Sequence, residues 1–404
     1  MNMLVLDTIH GADVIGREFG ALGHLVDIVD VYRQSSLVDV PTALERTYDL
    51  VVAPVHLDPD HPLLVSQNAP VISHHEAVRR LLGDRIPEPM IEITGARGKT
   101  TTAFALAHIM TGAGVLHTSA GTYLYPEHRL LWKKSITPAS VLAAAKRAIE
   151  INGWLIAEES IGVTGAGSLA IITSADDYVC AAGKKSALAE KLKSVKKSPH
   201  VLVAPSLKSE TSAMVQLDDV ARCSLSDCCI NCGSVSGSFH NPLLLLDAYR
   251  IPLMLAGAAA CLLGIDPAPL AGFQPVDGRL SVRQAGNITI VDNANSGSNV
   301  MTTIEAAKYA RAITGVPDLT LVIGIEQEDG AVCEGFTNDQ ILDAIRVVSP
   351  KRVILVGDIL LGEEVAHRFN NQYISRSPTF RDACDTAIAT TSYGSIVLAV
   401  KTWR

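Results

Sequence analysis

The sequence predicts an α/β protein of three domains: a Rossmann-like N-terminal domain, a central P-loop ATPase domain and a C-terminal Rossmann-like domain. Three observations point there. The 404 residues are too many for one ordinary hydrophobic core. Short apolar runs alternate with helical segments along the chain, the pattern of parallel sheets covered by helices. In the middle, Met90 to Met110 reads as an apolar strand, a glycine-bearing turn and a helix opening on Lys-Thr-Thr. The expected domain spans are residues 1–88, 89–272 and 273–404.

Composition excludes several classes. With 48% hydrophobic and 19% charged residues, each domain can bury a core and none need be disordered. A formal charge of -8 argues against nucleic acid as a partner. The longest apolar run, Leu243 to Ile265, is interrupted by Asp247 and Arg250, leaving less than the ~20 residues a membrane span needs. No cationic leader precedes the first strand, so a cytoplasmic protein without membrane association is expected. Eight cysteines without a secretory signal read as free thiols, and the cluster Cys223, Cys228, Cys229 and Cys232 matches no pair of zinc knuckles.

In chain order, residues 3–7, 25–30 and 50–54 are expected strands, and Ala12 to Leu22, closed by Gly23, is the helix between the first two. The first turn, DTIHGAD, has one glycine where a dinucleotide fingerprint needs three, so a bound NAD is not expected. These turns carry histidine instead. His10, Arg33, His56, His74 and His75 are candidates for binding an anionic ligand or a metal complex, the first three at the carboxyl ends of the strands. A linker with prolines at 87 and 89 follows.

The turn Gly95-Ala96-Arg97-Gly98-Lys99-Thr100-Thr101 is an anion cradle. Its glycines let the backbone approach a phosphate, and the helix start offers free N–H groups. Lys99 is expected on the β- and γ-phosphates and Thr100 on Mg²⁺. Further strands are expected near Val115, Leu155, Ala170 and Val201, and Thr137-Pro138 should open a helix from Ala139 to Ile151. The strand WLIAEES ends on Glu158-Glu159, where a metal carboxylate is expected, and AIITSADDY ends on Asp176-Asp177. A helix over Ala181 to Lys197 would expose most of its six lysines. After Gly272, strands near Ile290, Leu321, Ile354 and Ile396 form the last domain, whose turn VDNANSGSNV is dense in polar residues.

From Glu92 onward the order of motifs resembles the Mur ligases, ATP-dependent enzymes that join amino acids to muramyl precursors; a three-domain Mur ligase-like architecture is therefore expected. TGARGKTT is similar to the family P-loop, Thr137-Pro138 to its substrate-side T-P, and AEES to the strand bearing the Mg²⁺ glutamate, which implies Glu158 as a metal ligand. GSFHN resembles the G-x-H-N turn and implies that Asn241 contacts the nucleotide; Gly278-Arg279 resembles the G-R whose arginine reaches the γ-phosphate. Asp292-Asn293-Ala294-Asn295 resembles a nucleotide-contacting loop, implying Asp292 and Asn295. ATP and Mg²⁺ are the implied cofactors. Two departures stand out. The family's metal-binding histidine is missing from Thr173–Tyr178, and a carbamylated lysine, present in many members, would have to be Lys184 or Lys185. Also, the N-terminal domain shows no UDP-sugar site.

Within the family, the histidine-bearing first domain with its HHEAV segment, together with the ITP, FHNPLL and DNANSG stretches, resembles the branch that closes the last carbocyclic ring of the nickel tetrapyrrole coenzyme F-430 in methanogenic archaea. A small-molecule carboxylate, a nickel tetrapyrrole, is then the implied substrate of a monomer or homodimer. The alternatives are an amide-forming ligase and a non-catalytic carrier of the pigment.

Overall fold

The computed structural model describes residues 1–32, 38–207, 213–233, 235–275, 280–295, 298–326, 337–357 and 373–402. The chain divides into two compact units, one containing Met1–Arg222, Cys228–Phe239 and Ile251–Leu270, the other Cys223–Asp227, His240–Arg250 and Ala271–Arg404.

The first unit contains two main sheets and a two-stranded antiparallel ladder, Val179–Cys180 with Lys185–Ser186. Four parallel strands, in the order Leu25–Val29, Asn2–Leu6, Leu50–Ala53 and Val71–Ser73, form the N-terminal one. The strands at residues 2–6 and 50–53 read as unbroken apolar runs because helices cover both of their faces. The helices Ala12–Ala21 and His74–Leu82 cover one of those faces and share a core with the helix Pro138–Glu150 from the next segment. In the larger, eight-stranded sheet, Met90–Thr94 lies between Leu169–Ile172 and Trp154–Glu158, parallel to both. Every residue of Met90–Thr94 is buried. The chain builds the Trp154–Glu158 side first and crosses to Leu169–Ile172 afterwards, so the crevice at the carboxyl end of Met90–Thr94 lies at a topological switch point.

The second unit centres on six strands, in the order Ser281–Ala285, Ile288–Asp292, Gly394–Lys401, Leu319–Ile325, Arg352–Val356 and Tyr373–Ser377. Only the first pair is antiparallel. The helix Val300–Thr314 opens with a capping box at Asn299 and closes on Gly315 in the left-handed region, at φ 67°. In chain order, after the strands of the first main sheets and before those of the second, come three strands that form a small sheet, Ala221–Ser224, Asp227–Cys232 and Val235–His240, and the helix Asp247–Leu262. Cys228 is buried and Cys229 exposed, as strand alternation requires, so these two thiols cannot share one ligand site. Among the described residues no helix is long and apolar enough to cross a membrane.

Two elements depart from expectation. The helix expected from Ala181 is shorter, Ala187–Val195. Ala181, Ala182 and Gly183 all take positive φ, which ends any helix there, and Ser186 caps the one that follows through Ala189 N–H. Thr137 occupies the N-cap of Pro138–Glu150, but its hydroxyl meets Ser140 Oγ at 3.2 Å in place of a backbone amide.

Candidate functional site

The site is built on the turn after Met90–Thr94. Gly95 sits at φ 152°, and a Cβ there would lie 2.1 Å from Thr173 Oγ1, so no other residue fits. Gly98, at φ 83°, begins the helix Lys99–Ile109. The neighbouring strand end holds the loop from outside: Thr173 Oγ1 donates to Arg97 O (2.6 Å), and Ser174 Oγ accepts from the Ala96 and Arg97 amides (3.1 and 3.4 Å). Arg97 reaches Asp176 at 2.7 Å, an exposed pair worth little.

Three elements bring their polar ends together at the helix start. Thr100 Oγ1 donates to Glu158 Oε2 (2.9 Å) and lies 3.1 Å from Ser119 Oγ, while Ser119 N–H donates to the same carboxylate oxygen at 3.0 Å. Lys99 Nζ donates to Gly95 O (3.1 Å) and lies 3.8 Å from Glu158 Oε1. Thr101 is buried in the same turn. A carboxylate and two hydroxyls on one spot are hard oxygen donors of the kind Mg²⁺ takes, with an ammonium group alongside for phosphate, so the residues present fit Mg²⁺ and ATP.

Glu159, one position further, points the other way. Its burial, then the negative charge of Glu92, raises its pKa well above the usual carboxylate range and favours the protonated acid. Glu92 is better satisfied, accepting from Thr164 Oγ1 (2.5 Å) and from the Gly165 and Gly167 amides. His75 Nε2 lies 4.0 Å from Glu159, but the two form no ion pair, because burial pushes the imidazole down to about 3.

The histidine candidates separate into two groups. His74 and His75 face inward from the helix His74–Leu82: His74 Nε2 donates to Leu6 O (2.8 Å) and His75 Nε2 to Ser160 O (3.1 Å). His10 and His56 instead converge on the buried Asp7, at 2.5 and 3.3 Å from Oδ2. Burial opposes ionisation of Asp7, but the hydrogen bonds and electrostatic attraction of His10 and His56 outweigh it and hold the carboxyl below the usual range. Arg33 and Arg279 lie outside the described residues. Thr137 is buried, near Gly11.

Of the lysines, Lys184 bridges Asp58 and Asp60 (2.6 Å each) and Lys185 donates to Val55 O at 3.1 Å. Lys191 is fully buried; its amine makes no hydrogen bond among the described residues and sits 4.6 Å from the Tyr178 ring centroid. Burial, then the charge of Lys99, lowers its pKa. In the second unit, Asn241 accepts from Leu243 N–H and donates to Phe273 O (both 2.9 Å). Asp292 and Asn295 stand at the carboxyl end of Ile288–Asp292, where Asp292 Oδ1 accepts from Ala294 N–H (2.9 Å) and Asn295 Nδ2 donates to Asn293 O (2.9 Å).

Sequence reasoning missed Asp7, Ser119, Ser174 and Lys191. Asp7 and Ser119 each follow a strand directly, a signal available in the sequence; Lys191 stands among five other lysines and gives none.

Comparison with known structures identifies the fold. The chain resembles UDP-N-acetylmuramoyl-L-alanyl-D-glutamate–2,6-diaminopimelate ligase (TM-score 0.56, 15% identity, covering 88% of this chain and 87% of the other). It also resembles MurF from Acinetobacter baumannii (TM-score 0.54, 15% identity, 91% and 90%). The fold is therefore that of the Mur ligases. In sequence, residues 282–402 match the family described as coenzyme F430 synthetase CfbE, C-terminal domain. Coenzyme F(430) synthetase of Methanosarcina acetivorans is 30% identical over 88% of this chain and 90% of its own. The namesake from Methanocaldococcus jannaschii is 28% identical over 48% and 50%. The chain belongs to the coenzyme F(430) synthetase family.

Proposed function

We propose that this chain is an ATP-dependent ligase that closes the final carbocyclic ring of coenzyme F-430, converting the seco acid and ATP to F-430, ADP and phosphate. The observation that carries this reading is the cluster of Lys99, Thr100, Ser119 and Glu158 at the glycine turn, in a chain of this family. A carboxylate is a poor electrophile. Transfer of the γ-phosphoryl group to the propionate oxygen gives an acyl phosphate and releases ADP. A nucleophilic carbon of the same macrocycle then gives up a proton and forms the new bond to the acyl carbon as the acyl–oxygen bond breaks, and phosphate leaves carrying that proton's equivalent.

In this reading Gly95, Ala96, Arg97, Gly98, Lys99, Thr100 and Thr101 hold the phosphates, with Lys99 and Arg279 stabilising the charge that moves. Thr100 and Glu158 hold Mg²⁺, which neutralises charge between phosphate oxygens when bound. Asn241, Asp292 and Asn295 contact the nucleotide. Lys191 suits carbamylation better than Lys184 or Lys185, because burial lowers the pKa of its amine and so favours the neutral form that reacts with CO₂, whereas Lys184 is tied to two carboxylates. The division at residues 1–88, 89–272 and 273–404 gives substrate, nucleotide and ligase domains. The location is cytoplasmic. Mass spectrometry of the product tests the reaction. Loss of one water from the seco acid, with one phosphate released and no amine consumed, is expected. A product heavier by an amino acid residue would make the enzyme an amide ligase, and pigment binding without phosphate release would make it a carrier.

A further inference from the structure

The first turn of the chain holds an imidazole in the way metal-binding imidazoles are held. Asp7 is fully buried and adopts φ 80°, unusual for a residue with a side chain, and caps the short helix Thr8–His10 through Oδ1 and His10 N–H. Its other oxygen lies 2.5 Å from His10 Nδ1. A carboxylate oxygen at that distance accepts from Nδ1–H, which in the neutral imidazole leaves the lone pair on Nε2. This is the carboxylate–histidine pairing that orients metal ligands and raises their basicity. His10 Nε2 makes no hydrogen bond among the described residues, and the side chain is 38% exposed. Around it stand His56, its ring centroid 4.3 Å away at 71°, and Tyr32, stacked on His56 at 6.2 Å and 14°.

Three features decide what this imidazole meets. First, a bare ion held by Asp7, His10 and His56 together would sit about 2.1 Å from each ligand, which sets neighbouring ligand atoms roughly 3 Å or more apart. The 2.5 Å separation between Asp7 and His10 is the length of a hydrogen bond. Second, the aromatic faces of Tyr32 and His56 suit a flat apolar ring. Third, the turn lies against the ATP-side segment. A Cβ on Gly11 would fall 2.3 Å from Ala139 Cβ and 3.9 Å from Thr137 Oγ1, and Ile136 accepts a hydrogen bond from Ser160 N–H (3.1 Å), two residues beyond Glu158.

We propose that His10 Nε2 is the axial ligand of the nickel in the tetrapyrrole substrate, with Asp7 fixing the tautomer and His56 the second imidazole packed against that carboxylate. This rests on the substrate reading given above. The lone pair on Nε2 enters the vacant axial position; the Nδ1 proton stays on the ring, bonded to Asp7. Anchoring the macrocycle at its centre restricts it to rotation about the nickel–nitrogen axis, so contacts at the rim select which propionate faces Lys99 and Glu158. His74 and His75 have no such part, because their Nε2 atoms are bound to backbone carbonyls inside the fold.

Nickel K-edge X-ray absorption of the full-length protein with the seco acid, and separately with F-430, tests the assignment. In the wild type the square-planar pre-edge feature should be lost and imidazole scattering should appear. In His10→Ala both changes should be reversed, with KM for the seco acid raised at least tenfold, KM for ATP unchanged, and binding partly restored by added imidazole. Asp7→Asn should weaken binding less, and its bound nickel should keep an imidazole. The proposal is overturned if nickel is four-coordinate in the wild-type complex, or if imidazole scattering survives in His10→Ala. It is also overturned if Ni²⁺ or Zn²⁺ alone occupies the three residues and blocks the pigment. Turnover of the seco acid with four-coordinate nickel sinks this inference alone, whereas absence of any turnover sinks the proposed reaction.

Discussion

Replacing Glu159 by glutamine should change the pH dependence of stability while leaving catalysis in place. Three buried groups set the effect. His74 and His75 are pushed down to about 4 and about 3, chiefly by burial, from an ordinary value of 6.5. Between those values and 6.5 the unfolded chain binds more protons than the native one, so each histidine makes stability rise with pH by about 1.4 kcal/mol per unit. Glu159 acts in the opposite sense, because its pKa is raised by burial and by Glu92. Above about 4.5 the unfolded carboxyl ionises, and over the range in which the native one stays protonated stability falls with pH by about 1.4 kcal/mol per unit. Between about pH 5 and 6.5 the three groups together contribute a net rise of one proton in the wild type and two in Glu159→Gln, the amide standing in for the protonated acid. Other groups cancel in the difference, so the variant should gain on the wild type by about 1.4 kcal/mol per pH unit over the range in which native Glu159 stays protonated. Urea unfolding read by the fluorescence of Trp154, a buried residue on the strand leading to Glu159, measures it. Parallel stability curves would mean that Glu159 is ionised in the native state and that the neutral assignment is wrong.

Lys99→Ala should lower kcat by roughly 10²-fold or more with the circular dichroism unchanged, since alanine is the best helix former and Lys99 begins a helix; substantial residual ATP turnover would refute the phosphate role. Glu158→Gln should raise the Mg²⁺ concentration needed for half-maximal rate, with Glu159→Gln close to wild type in a Mg²⁺ titration, and the reverse order would put the metal on the wrong carboxylate. A ¹³C-bicarbonate-labelled sample should show a carbamate resonance that vanishes in Lys191→Ala and persists in Lys184→Ala and Lys185→Ala; persistence in Lys191→Ala would refute the assignment. Lys184→Ala should leave the urea midpoint close to that of the wild type, since the ion pairs it loses are exposed.

The architecture was legible because it is written in local signals. Apolar runs bounded by turns gave the strands, and the glycine turn gave the cradle because Gly95 occupies a position where any Cβ would clash and Gly98 one in the left-handed region that glycine favours. Strand alternation separates Glu158 from Glu159, so the sequence narrows the metal carboxylate to two adjacent positions and the fold divides them: one meets Thr100, the other the interior. Other features depend on packing between distant segments. His10, His56, His74 and His75 look equivalent in sequence, yet Ser73 caps a helix whose first residues turn His74 and His75 inward. Lys191 reads as part of a solvated face, because nothing local distinguishes it from its neighbours; its burial comes from how the helix Ala187–Val195 docks onto the strand Leu169–Ile172.

A ring-closing ligase poses a different problem from an amide ligase, and the arrangement in the first unit bears on it. An amide ligase must hold an acid and an amine together. When both reacting groups belong to one macrocycle, the effective concentration of the nucleophile reaches ~10⁵ M or more once the geometry is right, and the protein's main tasks are orientation and exclusion of water. Orientation requires that the element gripping the macrocycle and the element holding ATP be rigid with respect to each other. Within the first unit, Gly11 packs directly on the helix Pro138–Glu150, Ile136 is bonded to Ser160, Ser160 follows the Glu158-Glu159 strand end, and His75 Nε2 donates to Ser160 O. These contacts join the His10 turn to the metal carboxylate through backbone and buried side chains, with no long flexible residue between them. Enlarging Gly11 to alanine would break the first of them, since its Cβ would overlap Ala139 at a backbone angle alanine rarely adopts. The expected result is a lower kcat for ring closure with phosphate still released from ATP, as misaligned acyl phosphate is lost to water. If Gly11→Ala keeps one ring closed per phosphate released, the alignment of the two sites does not depend on this contact.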